Sequence, residues 1–127
     1  MRLGAIVIDS NNSEELSEFY QRLLGWAKEV QFFEGEKWII VKSNNSEGTP
    51  LVFQEADDYI RPQWPSANGY QQQMQHLDFY VKADDLDVEI NRAIACGAIL
   101  SEIQLSEGWK VMIDPAGHPF CIIPIPQ

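Results

Sequence analysis

The chain has 127 residues, of which 45% are hydrophobic and 22% charged, a size and composition typical of one globular domain. Its 19 acidic and 9 basic residues give a net charge of -10, which argues against nucleic acid as a partner because phosphate binding depends on clustered Lys and Arg. No stretch approaches the roughly 20 apolar residues of a membrane-spanning helix, so we expect a cytoplasmic protein without a membrane partner. Cys96 and Cys121 form no close pair, which disfavours a disulfide framework and a structural zinc site.

The first half of the chain predicts one strand, one helix and three further strands. Residues 3–8 are apolar and β-branched and end at polar turn residues, as a buried strand does. Asn12 or Ser13 can cap the following helix, whose apolar residues recur at the spacing of one buried face until Gly25 ends it. Three strand candidates then follow, at residues 27–33, 37–42 and 50–55.

The second half repeats this order. Residues 75–81 predict a strand, Asp84 and Asp85 begin a helix, and Gly97 ends it. The apolar residues of that helix are Leu86, Ile90, Ala93 and Ile94, and the later strand candidates are residues 98–104, 109–113 and 120–123.

Aligning Gly25 with Gly97 superposes the two helices, which indicates a duplicated supersecondary unit. We therefore expect an α+β fold in which two βαβββ modules form a cupped, mostly antiparallel half-barrel sheet around one site. The prediction is a single domain over residues 1–127, with module 1 at about 1–56, a linker at about 57–73 and module 2 at about 74–127. The linker is too apolar for a simple tether, and we expect it to pack on the body, over a pocket or against a second subunit.

Three motifs carry a resemblance to a known family. They are LSEFYQRLLGW at the end of the first helix, HLDFYVKADDLD at the start of the second half, and GWKVMIDPAGHPFCII near the end of the chain. Together with the repeated βαβββ order, they resemble the glyoxalase-like domains of the glyoxalase / bleomycin-resistance (vicinal oxygen chelate, VOC) superfamily over nearly the whole chain. The resemblance implies the glyoxalase/bleomycin resistance/dioxygenase-like fold, a small-molecule ligand and a homodimer.

The resemblance also implies where a metal would bind. Metal-dependent members hold a divalent ion with four side chains, from the first and last strands of each module, and adjacent substrate oxygens chelate at the open positions. His76 matches the family's histidine, and it is the only match. The other three positions fall on Ala5 or Gly4, on Gln54, and on Cys121 where the family has a glutamate. Because this set suits neither magnesium nor iron, we expect no metal and no other cofactor, with a divalent metal at His76 as the alternative.

Strand alternation places His76, Asp78 and Tyr80 on one face, where they can line a pocket. An Asp two residues from a His can orient the imidazole, so His76 and Asp78 are the candidates for general-base catalysis. Cys121 lies among apolar residues and is expected to be inert, and His118 is expected to be exposed in a turn. Tryptophans can stack on a flat ligand, or pack in the core or a dimer interface. The predicted ligand pocket comprises Gln54, His76, Asp78, Tyr80, Trp38, Trp64, Trp109 and Cys121.

Three functions are compatible with these features. The first is metal-free binding of a small organic molecule, as in the bleomycin-resistance proteins, and the incomplete ligand set favours it. The second is a lyase, isomerase or dioxygenase that uses a metal at His76, or His76 and Asp78 alone. The third is a dimeric interaction protein with a vestigial pocket. Fold resemblance cannot choose among them, because function resides in the site.

Overall fold

The computed structural model describes residues 1–126 and divides the chain into two compact units, Met1–Tyr59 and Ile60–Gln127. Gln127, the last residue of the predicted second module, lies outside the described residues. Each unit contains one helix and one four-stranded sheet, which confirms the predicted α+β class and the repeated βαβββ order. Within residues 1–126, neither helix is long and apolar enough to cross a bilayer.

The first unit is a mixed sheet with one helix packed on it. The strands are ordered β1-β4-β3-β2, with β1 parallel to β4 and the other pairs antiparallel. The elements are β1 (Ile6–Ser10), α1 (Ser13–Leu24), β2 (Ala27–Phe33), β3 (Glu36–Lys42) and β4 (Leu51–Glu55).

Helix α1 begins and ends as its sequence predicts. The side chain of Asn12 accepts a hydrogen bond from the backbone N–H of Glu15 at 3.1 Å, as an N-cap does. Gly25 ends the helix at φ 68°, a left-handed conformation that glycine adopts without steric cost. The buried face of α1 packs on the sheet, where Tyr20 stacks on Phe53 with ring centroids 5.7 Å apart. The core of this unit therefore lies between α1 and one face of the sheet.

The second unit repeats the arrangement with a smaller sheet. Its strands are ordered β5-β8-β7-β6, with β5 parallel to β8, and α2 packs against β5, β6 and β8. Phe79 and Phe120 meet edge to face at 5.6 Å, and Ile90 and Ala93 of α2 are buried. The elements are β5 (Asp78–Lys82), a 3-10 turn (Ala83–Asp85), α2 (Leu86–Cys96), β6 (Ile99–Leu100), β7 (Lys110–Ile113) and β8 (Pro119–Ile125).

Several predicted boundaries are wrong. The first strand begins at Ile6, not at residue 3, and β5 begins at Asp78, so His76 precedes its strand. Trp109 likewise lies just before β7, and Ile94, one of the apolar residues of the second helix, is 44% exposed.

The predicted strand at residues 98–104 shortens to the two residues of β6, and Gln104 supplies the reason. Its Oε1 accepts the backbone N–H of Val111 at 2.8 Å, and its Nε2 donates to the carbonyl of Val111 at 2.9 Å. The Val111 carbonyl still accepts the backbone N–H of Ser101 at 3.1 Å, but the Val111 N–H that a longer β6 would bond is taken by the Gln104 side chain, so the paired strand ends at Leu100.

The apolar segment between the predicted modules packs on the second unit. Arg61 Nη1 donates to the carbonyl of Pro115 at 3.0 Å, and Gln73 Nε2 donates to the carbonyl of Pro119 at 2.7 Å. These contacts attach the segment to the loop before β8 and to the first residue of β8.

Candidate functional site

Three of the predicted site residues meet at one end of the second sheet. Asp78, the first residue of β5, pairs with Cys121 of β8, and the backbone N–H of Cys121 donates to the carbonyl of Leu77 at 2.9 Å. His76 precedes Asp78 by two residues and therefore projects to the same side of this extended backbone. One nitrogen, one oxygen and one sulfur atom from these three side chains all lie within 4.8 Å of one another.

Within this cluster, the carboxylate of Asp78 lies between an imidazole and a thiol. His76 Nε2 is 3.2 Å from Asp78 Oδ1, and these side chains are 56% and 38% exposed. Burial raises the pKa of the Cys121 thiol to about 11, and the negative charge of Asp78 and a hydrogen bond to it act in the same direction. At neutral pH the thiol is therefore protonated and donates its S–H to the carboxylate, which also orients the imidazole.

The cluster lies on the sheet face opposite the one that carries Phe79 and Phe120. We call this surface the β5–β8 face. Strand register places Val111 beside Cys121 and Ile123 beside Tyr80 on it. The Tyr80 side chain is 67% exposed, whereas Val111 is buried. The face thus combines a polar cluster with aliphatic and aromatic surface, the composition of a site for a small organic molecule.

Two further side chains of the second unit have buried polar atoms without a hydrogen-bond partner among the described residues. They are Trp64, through Nε1, and Gln73, through Oε1. Gln73 Nε2 donates a hydrogen bond to the first residue of β8, two residues before Cys121. This side chain is therefore a polar group attached to the same strand, and the sequence did not predict it. No spacing signal marks Gln73, because it lies in a segment without regular secondary structure.

In the first unit, Trp38 and Gln54 lie on the sheet face opposite α1. Their neighbours Ile39 and Phe53 are paired and fully buried on the helix side, and alternation turns the adjacent residues to the other side. Trp38 Nε1 is also buried without a partner among residues 1–126. Asp9 is paired with Gln54 and adds a carboxylate that sequence analysis missed.

The prediction of an exposed His118 is wrong. Its side chain is 17% exposed, and Nδ1 lies 2.8 Å from Asp114 Oδ2. Asp114 is fully buried and also accepts the backbone N–H groups of Ala116 and His118. This carboxylate closes the turn before β8. The Asp-Pro-Ala-Gly-His motif therefore fixes where β8 begins and, with it, the position of Cys121 on that strand.

The donor set of the cluster does not suit a hard divalent ion. Magnesium and manganese prefer carboxylate, carbonyl and water oxygens, whereas a thiol is soft and must lose its proton before it binds a metal. Cys121 is such a thiol, and its raised pKa adds to the cost of losing the proton.

Comparisons with known proteins agree with the fold described above. A family model described as "Glyoxalase-like domain" matches residues 5–123. No curated protein matches the chain.

Among solved structures, the chain is similar to a glyoxalase/bleomycin resistance protein/dioxygenase family enzyme from Burkholderia phytofirmans PsJN (17% identity, 96% of this chain and 97% of that chain, TM-score 0.68). It is also similar to the fosfomycin resistance protein FosX from Listeria monocytogenes, complexed with Mn(II) and 1S,2S-dihydroxypropylphosphonic acid (14% identity, 97% and 88%, TM-score 0.65). A third is the oxidase ChaP-H2 (20% identity, 99% and 94%, TM-score 0.64). At these identities the likeness concerns the fold alone. With the family model matched over residues 5–123, the chain belongs to the glyoxalase-like domain family of the VOC superfamily.

Proposed function

We propose that this protein binds a small organic molecule on the β5–β8 face and does so without the hard divalent ion that metal-dependent VOC proteins use. The observation that carries this proposal is the cluster of His76, Asp78 and Cys121, with donor atoms within 4.8 Å of one another. Its carboxylate and imidazole are exposed enough to reach a ligand, and its thiol is protonated. Such a set recognises a ligand by hydrogen bonds and charge.

Charge favours a cationic ligand. The protein carries a net charge of -10, and Asp78 places one carboxylate beside the exposed ring of Tyr80 on the same strand. A carboxylate beside an aromatic ring binds an ammonium or guanidinium group through an ion pair and a cation–π contact. We therefore expect an amphipathic or aromatic cation to bind more tightly than a neutral analogue of the same shape.

The test is a titration of the full-length protein with aromatic amines and their neutral isosteres in chelator-treated buffer, followed by calorimetry and Trp fluorescence. Asp78→Asn should weaken binding of the cation about tenfold, because a charge-assisted hydrogen bond contributes roughly 1.5–3 kcal/mol. Asp84→Asn, in the exposed 3-10 turn, is the matched control and should leave affinity unchanged. Equal weakening by both variants would reduce the effect to overall charge and contradict the proposed site.

A second candidate function is an enzyme in which His76 acts as a general base. The specific observation in its favour is the 3.2 Å contact between His76 Nε2 and Asp78 Oδ1, which can hold the ring in one orientation. Once a ligand is known, the test is turnover in the wild type and in His76→Gln. Loss of turnover with binding retained would support the enzyme, and absence of turnover in both proteins would leave binding as the function.

A further inference from the structure

We propose that His76, Asp78 and Cys121 also form a site for a thiophilic divalent ion such as Zn²⁺, and that Cys121 makes this site reject Mn²⁺ and Mg²⁺. The inference goes beyond the proposed function, which requires no metal. It concerns which class of ion these three side chains select when both classes are offered.

The backbone holds two of the three ligands in place. Asp78 and Cys121 are register partners in the parallel β5–β8 pair, and the Cys121 N–H to Leu77 carbonyl bond extends the pairing towards His76. Bonds of about 2.0–2.3 Å in a tetrahedral zinc site place neighbouring ligand atoms roughly 3.3–3.8 Å apart. In the structure the three donor atoms lie within 4.8 Å of one another, so metal binding requires the longest of these separations to shorten by about 1 Å. The exposed side chains of His76 and Asp78 can make this movement by rotation.

The chemistry of the three donors selects the ion. An imidazole nitrogen, a carboxylate oxygen and a thiolate sulfur are the three donor types that zinc accepts, and three protein ligands leave a fourth position open. When the ion binds, the Cys121 S–H bond breaks and the proton passes to solvent. An electron pair of the thiolate sulfur then forms the metal–sulfur bond. The carboxylate of Asp78, released from the thiol, becomes available to the same ion.

Burial of the sulfur raises the free-energy cost of ionising the thiol, and only an ion that bonds strongly to sulfur offsets that cost. Cys121 is 8% exposed, and its neighbour Val111 is 1% exposed. A hard ion such as Mg²⁺ retains several waters and binds through oxygens, so it gains little from a sulfur that water barely reaches. Zn²⁺, Co²⁺ and Cd²⁺ give up their waters for a thiolate, and the site should therefore rank these ions above Mn²⁺ and Mg²⁺.

The test is an optical titration of the reduced full-length protein with Co²⁺, with Zn²⁺ then added in competition. We expect a thiolate-to-cobalt charge-transfer band in the near ultraviolet that saturates at one ion per chain and is abolished by Zn²⁺. Cys121→Ser and His76→Ala should each weaken Co²⁺ binding at least tenfold, and the charge-transfer band should be absent in Cys121→Ser. Cys96→Ser, which removes the other free thiol, is the control and should leave the band intact.

A reciprocal variant tests the selectivity. Cys121→Glu restores an oxygen donor, and it should gain Mn²⁺ binding, measured by the loss of the free Mn²⁺ signal in electron paramagnetic resonance. If Cys121→Glu misfolds by circular dichroism, Cys121→Asp takes its place, and His76→Ala, at an exposed residue, still tests the ligand set. The absence of a charge-transfer band in the wild type, or a band that persists in Cys121→Ser, would overturn the inference.

The two proposals fail separately. Binding of an organic cation is measured with chelator present, so it does not depend on any ion. Binding of the organic cation without a cobalt charge-transfer band would refute the metal site alone. A cobalt band without binding of the organic cation would refute the small-molecule proposal alone.

Discussion

At the scale of single residues, Cys121 illustrates how burial and charge set thiol chemistry. Its pKa is raised to about 11 by burial and by Asp78, so only about one thiol in 1,000 is ionised at pH 8. In a Cys96→Ser background, we expect iodoacetamide to alkylate Cys121 at pH 8 at least a hundredfold more slowly than a free cysteine peptide. Mass spectrometry of the time course measures the rate. Alkylation at the rate of the peptide would show that the thiol is neither buried nor paired.

Gly117 is required by its backbone and by its neighbour. It adopts φ 95°, and a Cβ added there would overlap Arg61 Cγ and lie 2.8 Å from Arg61 Nε. Gly117→Ala should therefore lower the free energy of unfolding by about 2 kcal/mol, combining backbone strain with displacement of the Arg61 side chain. Urea denaturation measures the change.

Gly69→Ala separates the two causes for Gly117. Gly69 has φ 83° with open space around it, so its substitution should cost only the backbone strain, about 1 kcal/mol. If Gly117→Ala costs no more than Gly69→Ala, the contact with Arg61 carries no energetic weight.

At the scale of elements, helix α1 is held at its N-terminus by a residue that is distant in sequence. Glu55 Oε1 accepts the backbone N–H of Ser13 at 2.6 Å, next to the cap that Asn12 provides. Glu55→Ala should lower the free energy of unfolding by about 1 kcal/mol, because it removes both an acceptor for an unpaired helix N–H and a negative charge near the positive end of the helix. Thermal denaturation measures the loss. Glu47→Ala in the exposed loop is the control, and an equal loss there would contradict the capping role.

The same helix is tied to β2 and β3 by charge. Glu14 pairs with Lys37 and with Lys28, and hydrogen bonds first from Lys37 and then from Lys28 lower the pKa of its carboxyl. A lowered folded-state pKa contributes stability above the unfolded pKa, and this contribution is lost as the pH falls through the folded value. The site is exposed, so Glu14→Gln should cost less than about 1 kcal/mol at neutral pH. Urea unfolding should show this difference disappear in acid, and a difference that persists there would contradict the ion-pair explanation.

At the scale of the whole molecule, the two units share an element order but differ in their sheets. β2 of the first unit pairs with β3 over seven residues, whereas β6 of the second pairs with β7 over two. The cluster of His76, Asp78 and Cys121 lies in the second unit. The repeat therefore preserves topology while its two copies carry different chemistry.

The oligomeric state of the whole molecule stays a prediction, and we expect a homodimer. The resemblance to the VOC superfamily implies a homodimer, and in the first unit the exposed side chains of Phe32 and Phe33 supply apolar surface that a second copy could cover. We expect analytical ultracentrifugation to give a particle of two chains, about twice the 14.5 kDa of one. A single 14.5 kDa species at micromolar concentration would contradict it.

The sequence by itself determined the local elements. The apolar spacing of α1, its Asn12 cap and its Gly25 end predict that helix closely, and the strand at residues 27–33 matches β2. These features depend on neighbours a few residues apart, so the local pattern contains them. The same reasoning placed His76, Asp78 and Tyr80 on one face, because alternation along a strand is also local.

Only the tertiary structure decided which distant residues meet. The short β6 results from the side chain of Gln104, and the meeting of Asp78 with Cys121 results from the parallel pairing of β5 with β8. The burial that keeps the Cys121 thiol protonated is also a property of the folded unit. Strand register and burial arise from contacts between segments far apart in the chain, so local spacing could nominate the site residues but could not assemble them.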